Sequence, residues 1–214
     1  MTVVSGTNKK RLKGLYAITD EKLIAEENFR EAIESALQGG VRIIQYRDKS
    51  GDLQKRLQQA SILRDLCTQY EATCIINDDI GLASAVNADG VHLGKDDTAL
   101  SDARQELGED AIIGISCYND IELAVAAEKS SADYVAFGTM FSSPTKPEAV
   151  CAGPDIIAQS RQRLGIPVCA IGGITGENIQ QLIQHQADMA AVISSLFAAD
   201  DIKQSAEKLS GHFR

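Results

Sequence analysis

The run CIINDD, residues 74–79, buries two isoleucines and then sets Asn77, Asp78 and Asp79 side by side. Adjacent acids repel, so something positive must lie against them, or one of them must cap a helix. Asp97 follows a second apolar run, GVHL, and completes a pair of hard oxygen donors with Asp78. Mg²⁺ favours such a pair, because it keeps several waters and takes only one or two carboxylates plus substrate phosphate oxygens. Three cations stand in equivalent places: Arg47 and Lys49 after VRIIQY, and Lys146 after YVAFG. Arginine grips phosphate oxygens bidentately and lysine acts on them as a point charge. A Gly172-Gly173 turn and Ser194, each just past an apolar run, suit another chemistry, in which backbone N–H groups hold a phosphate monoester. Two phosphate-bearing ligands therefore fit this chain, one held by metal and cations and one by amides. Plainer readings exist for each feature alone. Arg47-Asp48-Lys49 reads as a solvated charge run. Gly-Gly turns are common, and Asp96 or Asp97 could cap a helix beginning near Thr98. His92 lies inside an apolar run and reads as a hydrogen-bonded core histidine. Cys117 and Tyr118 read as packing or rim residues. Convergence decides between the two sets, since most apolar runs end in a residue suited to binding phosphate with a metal.

Those runs are the elements that must position the chemistry. They are LYAIT (15–19), VRIIQY (41–46), CII (74–76), GVHL (90–93), AIIGIS (111–116), YVAFG (134–138), PVCAIG (167–172) and AAVIS (190–194). Continuous apolar character suits strands buried on both faces, as in a parallel sheet. Amphipathic segments alternate with them at 28–38, 52–70, 120–129 and 177–184. In the second of these Leu53, Leu57, Leu63 and Leu66 are expected on one stripe. Strand-then-helix repeated eight times in 214 residues predicts an α/β fold, a single (β/α)8 TIM barrel over 1–214 with residues 1–12 as an N-terminal extension. A doubly wound open sheet is weaker, because no G-x-G-x-x-G follows the first strand. Small or turn-forming residues lead into several strands, as in Gly39-Gly40-Val41, Ala88-Asp89-Gly90 and Ala132-Asp133-Tyr134. In a barrel the C-terminal strand ends converge on one face, which is where the polar residues fall.

Composition narrows the function classes. The net charge is −9, with no Lys/Arg cluster and no Trp, which argues against nucleic acid as a partner. Five cysteines with no C-x-x-C spacing read as free thiols in a reducing compartment. The first residues, MTVVSGTNKKR, carry no long apolar stretch, so neither a signal peptide nor a membrane anchor is expected, and the cytoplasm is the expected location. Three histidines without H-E-x-x-H make a zinc site unexpected.

LYAITD, IIQYRDK, IINDDIGLA, ADGVHLGKDD, IIGIS, DYVAFGTMFSSPTK, PVCAIGGIT and AVISSLF, in order from Leu15 to Phe197, together resemble the thiamine-phosphate synthase family. The resemblance implies a Mg²⁺-dependent transferase. It would join 4-amino-2-methyl-5-hydroxymethylpyrimidine pyrophosphate to 4-methyl-5-(2-phosphoethyl)thiazole, or its carboxylated form, and release pyrophosphate. A dissociative path through a pyrimidine cation is implied. By position, Gln45 and Asn77 resemble the pyrimidine contacts. Arg47 and Lys49 resemble the pyrophosphate clamp, and Asp78 and Asp97 the Mg²⁺ ligands. Ser116 resembles a hydroxyl near pyrimidine and pyrophosphate. Ser143, Thr145 and Lys146 resemble a loop that contacts thiazole substrate and pyrophosphate. Gly173, Ile193 and Ser194 resemble the thiazole-phosphate cradle. Arg47, Lys49, Ser116 and Lys146 are the expected catalytic groups, and Asp79 is expected to cap or brace its turn. The chain departs from the family in two places. Lys95 stands where glutamine is frequent, and residues 185–190 lack the family's glycines, so the path into strand 8 is expected to differ. A thiazole tautomerase on the same barrel would use a histidine just after strand 6, where this chain has Thr139. A non-catalytic phosphate-binding barrel could dispense with the carboxylate pair. The segment 138–154 is expected to close over the site and exclude water. A homo-oligomer is compatible with everything in the sequence.

Overall fold

Apolar side chains alternate in direction along a strand, and here both directions are buried. In the computed structural model, which describes residues 11–94, 97–142 and 151–213 with the side chains of 97–99 excepted, eight parallel strands close in chain order into a barrel. They are β1 Gly14–Ile18, β2 Ile43–Tyr46, β3 Thr73–Asn77, β4 Gly90–Leu93, β5 Ile112–Tyr118, β6 Tyr134–Gly138, β7 Val168–Ile171 and β8 Met189–Val192. The helices outside are α1 Phe29–Gln38, α2 Leu53–Gln69, α3 Ile80–Ala85, α4 Asp97–Leu107, α5 Ile121–Lys129, α6 Asp155–Arg161, α7 Ile179–Gln184, α8 Ser194–Phe197 and α9 Ile202–Gly211. This is the (β/α)8 architecture expected from the alternation of runs.

Two cores result. Outward-facing strand residues and inward helix faces form the larger one. Inside the ring, Tyr16, Ile18, Ile43, Ile75, Ile112 and Tyr134 belong to a smaller cluster. Tyr134 needs its neighbour on β5 to be glycine: a Cβ on Gly114 would lie 2.0 Å from the ring's Cζ. Leu12, expected in the N-terminal extension, also packs in this inner cluster and is 1% exposed.

One local expectation fails for a physical reason. Helix α2 does not bury its four leucines on one stripe. Leu53 and Leu57 are 74% and 47% exposed, while Gln59, Ala60, Leu63, Leu66 and Cys67 face the barrel. At 3.6 residues per turn, Leu57 and Leu63 lie about 120° apart, so one face cannot hold both. At the entry to β8 the missing glycines do not remove the left-handed turn. Gln186 takes the left-handed backbone itself, with φ 66°. Glu71, Asn87 and Ser131 do the same just past α2, α3 and α5, with φ 53°, 51° and 72°. These are helix C-terminal turns that usually carry glycine.

Below the barrel a motif repeats. Asp89, Asp133 and Asp188 sit immediately before β4, β6 and β8. Each accepts an amide from the first two residues of the preceding strand: Cys74 at 2.8 Å, Ile113 at 2.8 Å and Val168 at 2.7 Å. Each also pairs with an arginine of the helix that leads into that preceding strand, α2, α4 or α6: Arg64 at 2.7 Å, Arg104 at 2.8 Å and Arg161 at 3.0 Å. Arg11 adds a second partner to Asp89 at 2.8 Å. These clasps join β3 to β4, β5 to β6 and β7 to β8. The equivalent place before β2 is Arg42, which donates to Val41 O at 3.0 Å instead. Here α9 covers the joint, with Ser210 Oγ donating to Gly39 O at 2.8 Å. Among the described residues, no helix is long and apolar enough to cross a membrane.

Candidate active site

Strand register sets the height of each polar side chain. Ile18 pairs with Gln45, Asn77 with His92, and Ser116 with Ala136. Gln45, Asn77 and Ser116 share inward parity with Ile43, Ile75 and Ile112, so all three point toward the axis at the C-terminal end. Gly173 and Ile193 lie two residues past the paired Ile171 and Ala191. A slip in the β5–β6 register between Ser116 and Tyr118 leaves Cys117 bulged out, a common device for re-aiming side chains beside active sites.

The first cation and carboxylate cluster spans β2 and β3. Lys49 Nζ lies 3.2 Å from Asp78 Oδ2, and Asn77 Nδ2 donates to the same oxygen at 2.8 Å. Asp78 holds a left-handed backbone, φ 60°, at the strand end. Asp79 turns the other way. Its Oδ1 accepts from Leu82 N at 2.8 Å and caps α3, while Arg56 pairs with Oδ2 at 2.6 Å. Asp48, Lys49, Gly51, Arg56, Asn77 and Asp78 line a cleft of about 480 Å³. Arg47-Asp48-Lys49 is therefore no solvated charge run. Asp48 points inward onto Lys55 at 2.8 Å with a side chain 2% exposed. Burial raises its pKa, but hydrogen bonds from Lys55 and Ser50 outweigh that and hold it below the ordinary carboxylate value. Arg47 reaches Asp20 at 3.4 Å, and Thr19 Oγ1 both donates to Arg47 O and accepts from Arg47 N, at 3.0 and 2.8 Å.

On the opposite side of the mouth, Gly172 and Gly173 carry φ of 100° and 66°, and a Cβ on Gly173 would meet Phe141 O at 2.5 Å. Ser194 opens the short helix α8. The amides of Gly173 and Ser194 donate no hydrogen bond among the described residues. Ser143, Thr145 and Lys146, with the rest of 143–150 in the segment 138–154 expected to close, lie outside the described residues, as do Lys95, Asp96 and the side chain of Asp97. The backbone of Asp97 is the first residue of α4, directly after β4.

Of the expected donors, Asp78 is the one whose side chain is described, and its chemistry suits Mg²⁺. The Asp78 carboxylate is a hard oxygen donor, 54% exposed at the cleft and carrying a cationic partner that phosphate oxygens could take over. Asp97 follows the strand next to Asp78's own.

Below this rim the interior holds polar groups that only strand parity could have singled out in the sequence. Gln45 Nε2 donates to Tyr16 Oη at 2.7 Å, and Tyr16 Oη lies 2.9 Å from Tyr134 Oη. Tyr134 Oη lies 2.9 Å from His92 Nδ1, and His92 Nε2 lies 2.8 Å from Ser116 Oγ. The His92 and Tyr134 rings stack at 5.5 Å. Burial pushes His92 down to about 4, against a weaker opposing pull from Asp78, and burial raises both tyrosines. Every member of the chain is therefore neutral near pH 7. His92 is the hydrogen-bonded core histidine that its apolar run implied. None of the five cysteines, four buried and Cys151 exposed, is in a disulfide.

A family model described as thiamine monophosphate synthase matches residues 15–196. The chain is 48% identical over 202 residues to the thiamine-phosphate synthase of Nitrosococcus oceani, covering 94% of this chain and 93% of that one. It is also 48% identical over 204 residues to the thiamine-phosphate synthase of Thioalkalivibrio sulfidiphilus, covering 95% and 97%. Its fold is similar to that of thiamine phosphate pyrophosphorylase from Pyrococcus furiosus. The TM-score is 0.86 at 34% identity, over 97% of this chain and 98% of the other.

Proposed function

The chain belongs to the thiamine monophosphate synthase family, and from that premise we propose how its strand-end residues divide the work of thiamine-phosphate synthesis. The substrates are 4-amino-2-methyl-5-hydroxymethylpyrimidine pyrophosphate and 4-methyl-5-(2-phosphoethyl)thiazole or its carboxylated form. Gln45, Asn77 and Ser116 orient the pyrimidine. Arg47 and Lys49 grip the pyrophosphate, joined by Lys146 with Ser143 and Thr145 from the loop after β6. Asp78 and Asp97 would hold Mg²⁺, which supplies positive charge to the departing pyrophosphate. The carbon–oxygen bond breaks with its electron pair going to pyrophosphate. The aminopyrimidine ring delocalises the positive charge left on the methylene. The thiazole nitrogen, held through its phosphate by the amides of Gly173 and Ser194 and packed by Ile193, donates its lone pair to that carbon. With the uncarboxylated thiazole no proton need move and no general base is needed; the carboxylated form would in addition lose CO₂ from its ring carbon, which then takes a proton from solvent. What the residues must do is place charge beside the leaving group and keep water from the cation.

One observation supports this division most: Lys49 meets Asp78 at 3.2 Å in the cleft, across the ends of neighbouring strands. A cation and a hard carboxylate in contact there can separate onto pyrophosphate and metal when both arrive. Replacing Asp78 with Asn tests it. Turnover should fall at least ~100-fold while thiazole-phosphate affinity changes less than about twofold, since the amide cradle is untouched. Unchanged turnover would remove Asp78 from the metal site.

A further inference from the structure

With the Gln45 amide donating through Nε2, the buried chain from Gln45 to Ser116 has only one direction in which every hydrogen is used. Gln45 Nε2 donates to Tyr16, whose only other neighbour in the chain is the Tyr134 hydroxyl. If Tyr16 donates to Tyr134, then Tyr134 must donate to His92 Nδ1. The neutral ring then carries its hydrogen on Nε2 and donates to Ser116 Oγ. In the reverse direction Tyr134 would donate to Tyr16, and the Tyr16 hydrogen would have no acceptor although the residue is 1% exposed. Buried polar hydrogens are almost always satisfied, so the first direction holds. Two consequences appear at the ends. Gln45 Oε1, which takes no hydrogen bond among the described residues, is left facing the barrel mouth as an acceptor. Ser116 receives a hydrogen bond on oxygen, and its own hydrogen is released as a donor.

We infer that Tyr16, Tyr134 and His92 are positioning residues that lock the hydrogen-bond polarity of Gln45 and Ser116, and that this lock selects an aminopyrimidine over its oxo analogue. The inference rests on the reading that Gln45 and Ser116 face the pyrimidine. An aminopyrimidine offers an N–H donor beside a bare ring nitrogen, which matches an acceptor and a donor fixed in those roles. A 4-oxo ring offers a carbonyl and a ring N–H, which reverses both. Without the lock, the amide could flip and the serine could rotate to suit either ring, and discrimination would be lost.

Two measurements test this. The first needs no substrate: imidazole ¹⁵N NMR of the free protein, in which His92 is one of three histidines. The lock requires hydrogen on Nε2, and hydrogen on Nδ1 in the wild type would overturn it. The second is the ratio of kcat/KM for the aminopyrimidine pyrophosphate and its 4-oxo counterpart, in wild type and in Tyr134→Phe. Phenylalanine keeps the ring and cuts the chain at its middle, so the ratio should fall at least tenfold. A Tyr134→Phe enzyme with lower activity but an unchanged ratio would show a merely structural role and sink the selection. If Tyr134→Phe does not fold, Tyr16→Phe cuts the same chain one link away and is judged by the same ratio. A wild type that makes no thiamine phosphate would defeat the reading of the site and leave the ring-nitrogen result standing.

Discussion

Asp78 and Asp79 are adjacent, identical in type and opposite in role, because the backbone turns between them. Asp78 faces the cleft with Lys49, and Asp79 caps a helix and binds Arg56. The sequence announces both, since an apolar run that stops at acids is easy to see, and the same is true of Gln45, Asn77 and Ser116. Tyr16 and Tyr134 were not legible in this way. They stand inside the apolar runs LYAIT and YVAFG with no local mark, and only the parity they share with Ile18 and Ala136 turns their hydroxyls inward. His92 carries a pH signature. Burial lowers it from 6.5 to about 4 in the fold, so between those values the unfolded chain binds a proton that the folded chain refuses. Stability should therefore be full above about pH 6.5 and fall as pH drops toward 4. The loss is up to about 3 kcal/mol at about 1.4 kcal/mol per unit. Urea midpoints at pH 7.5 and 4.5 measure it. His92→Gln should show a shallower loss, and an identical loss would assign the proton elsewhere.

At the scale of elements, the strands were legible because burial on both faces leaves a continuous apolar run. Helix faces were less so: α2 turns Gln59 and Ala60 inward and leaves Leu53 and Leu57 in water, since apolar residues near a helix start need not face the core. The turn into β8 shows a further limit. Absence of glycine from 185–190 does not prevent the left-handed turn, because Gln186 accepts the strain. A left-handed L-residue costs about 1–2 kcal/mol, while a new glycine gives back about 0.4–1 kcal/mol through the unfolded chain. Gln186→Gly should then stabilise the protein by about 0.5–1 kcal/mol, and Gln186→Ala should not, because alanine keeps the Cβ that causes the strain. Thermal or urea unfolding of the two variants decides it, and equal stabilities would mean the turn is unstrained.

The whole molecule is a ring joined pair by pair. Asp89, Asp133 and Asp188 clasp three strand pairs from below, each through a partly buried ion pair. A-D-x before each of these even strands is visible in the sequence, but the arginines that complete the clasps are scattered along the helices and carry no local mark. The pair β1–β2 has Arg42 where the others have Asp. At its opposite end that pair is bridged by the groups proposed to handle substrate: Thr19 and Asp20 bind Arg47, and Tyr16 binds Gln45. Hydrogen exchange should find β1 and β2 amides less protected than those of β5 to β8 in the free protein. Adding Mg²⁺ and inorganic pyrophosphate should slow the first two strands selectively, and uniform slowing would contradict this. The joint of the hoop that lacks an aspartate clasp among these four pairs is thus the one tied across the catalytic mouth, so a ligand bound there should also brace the ring, and limited proteolysis of the protein should slow when Mg²⁺ and pyrophosphate are added.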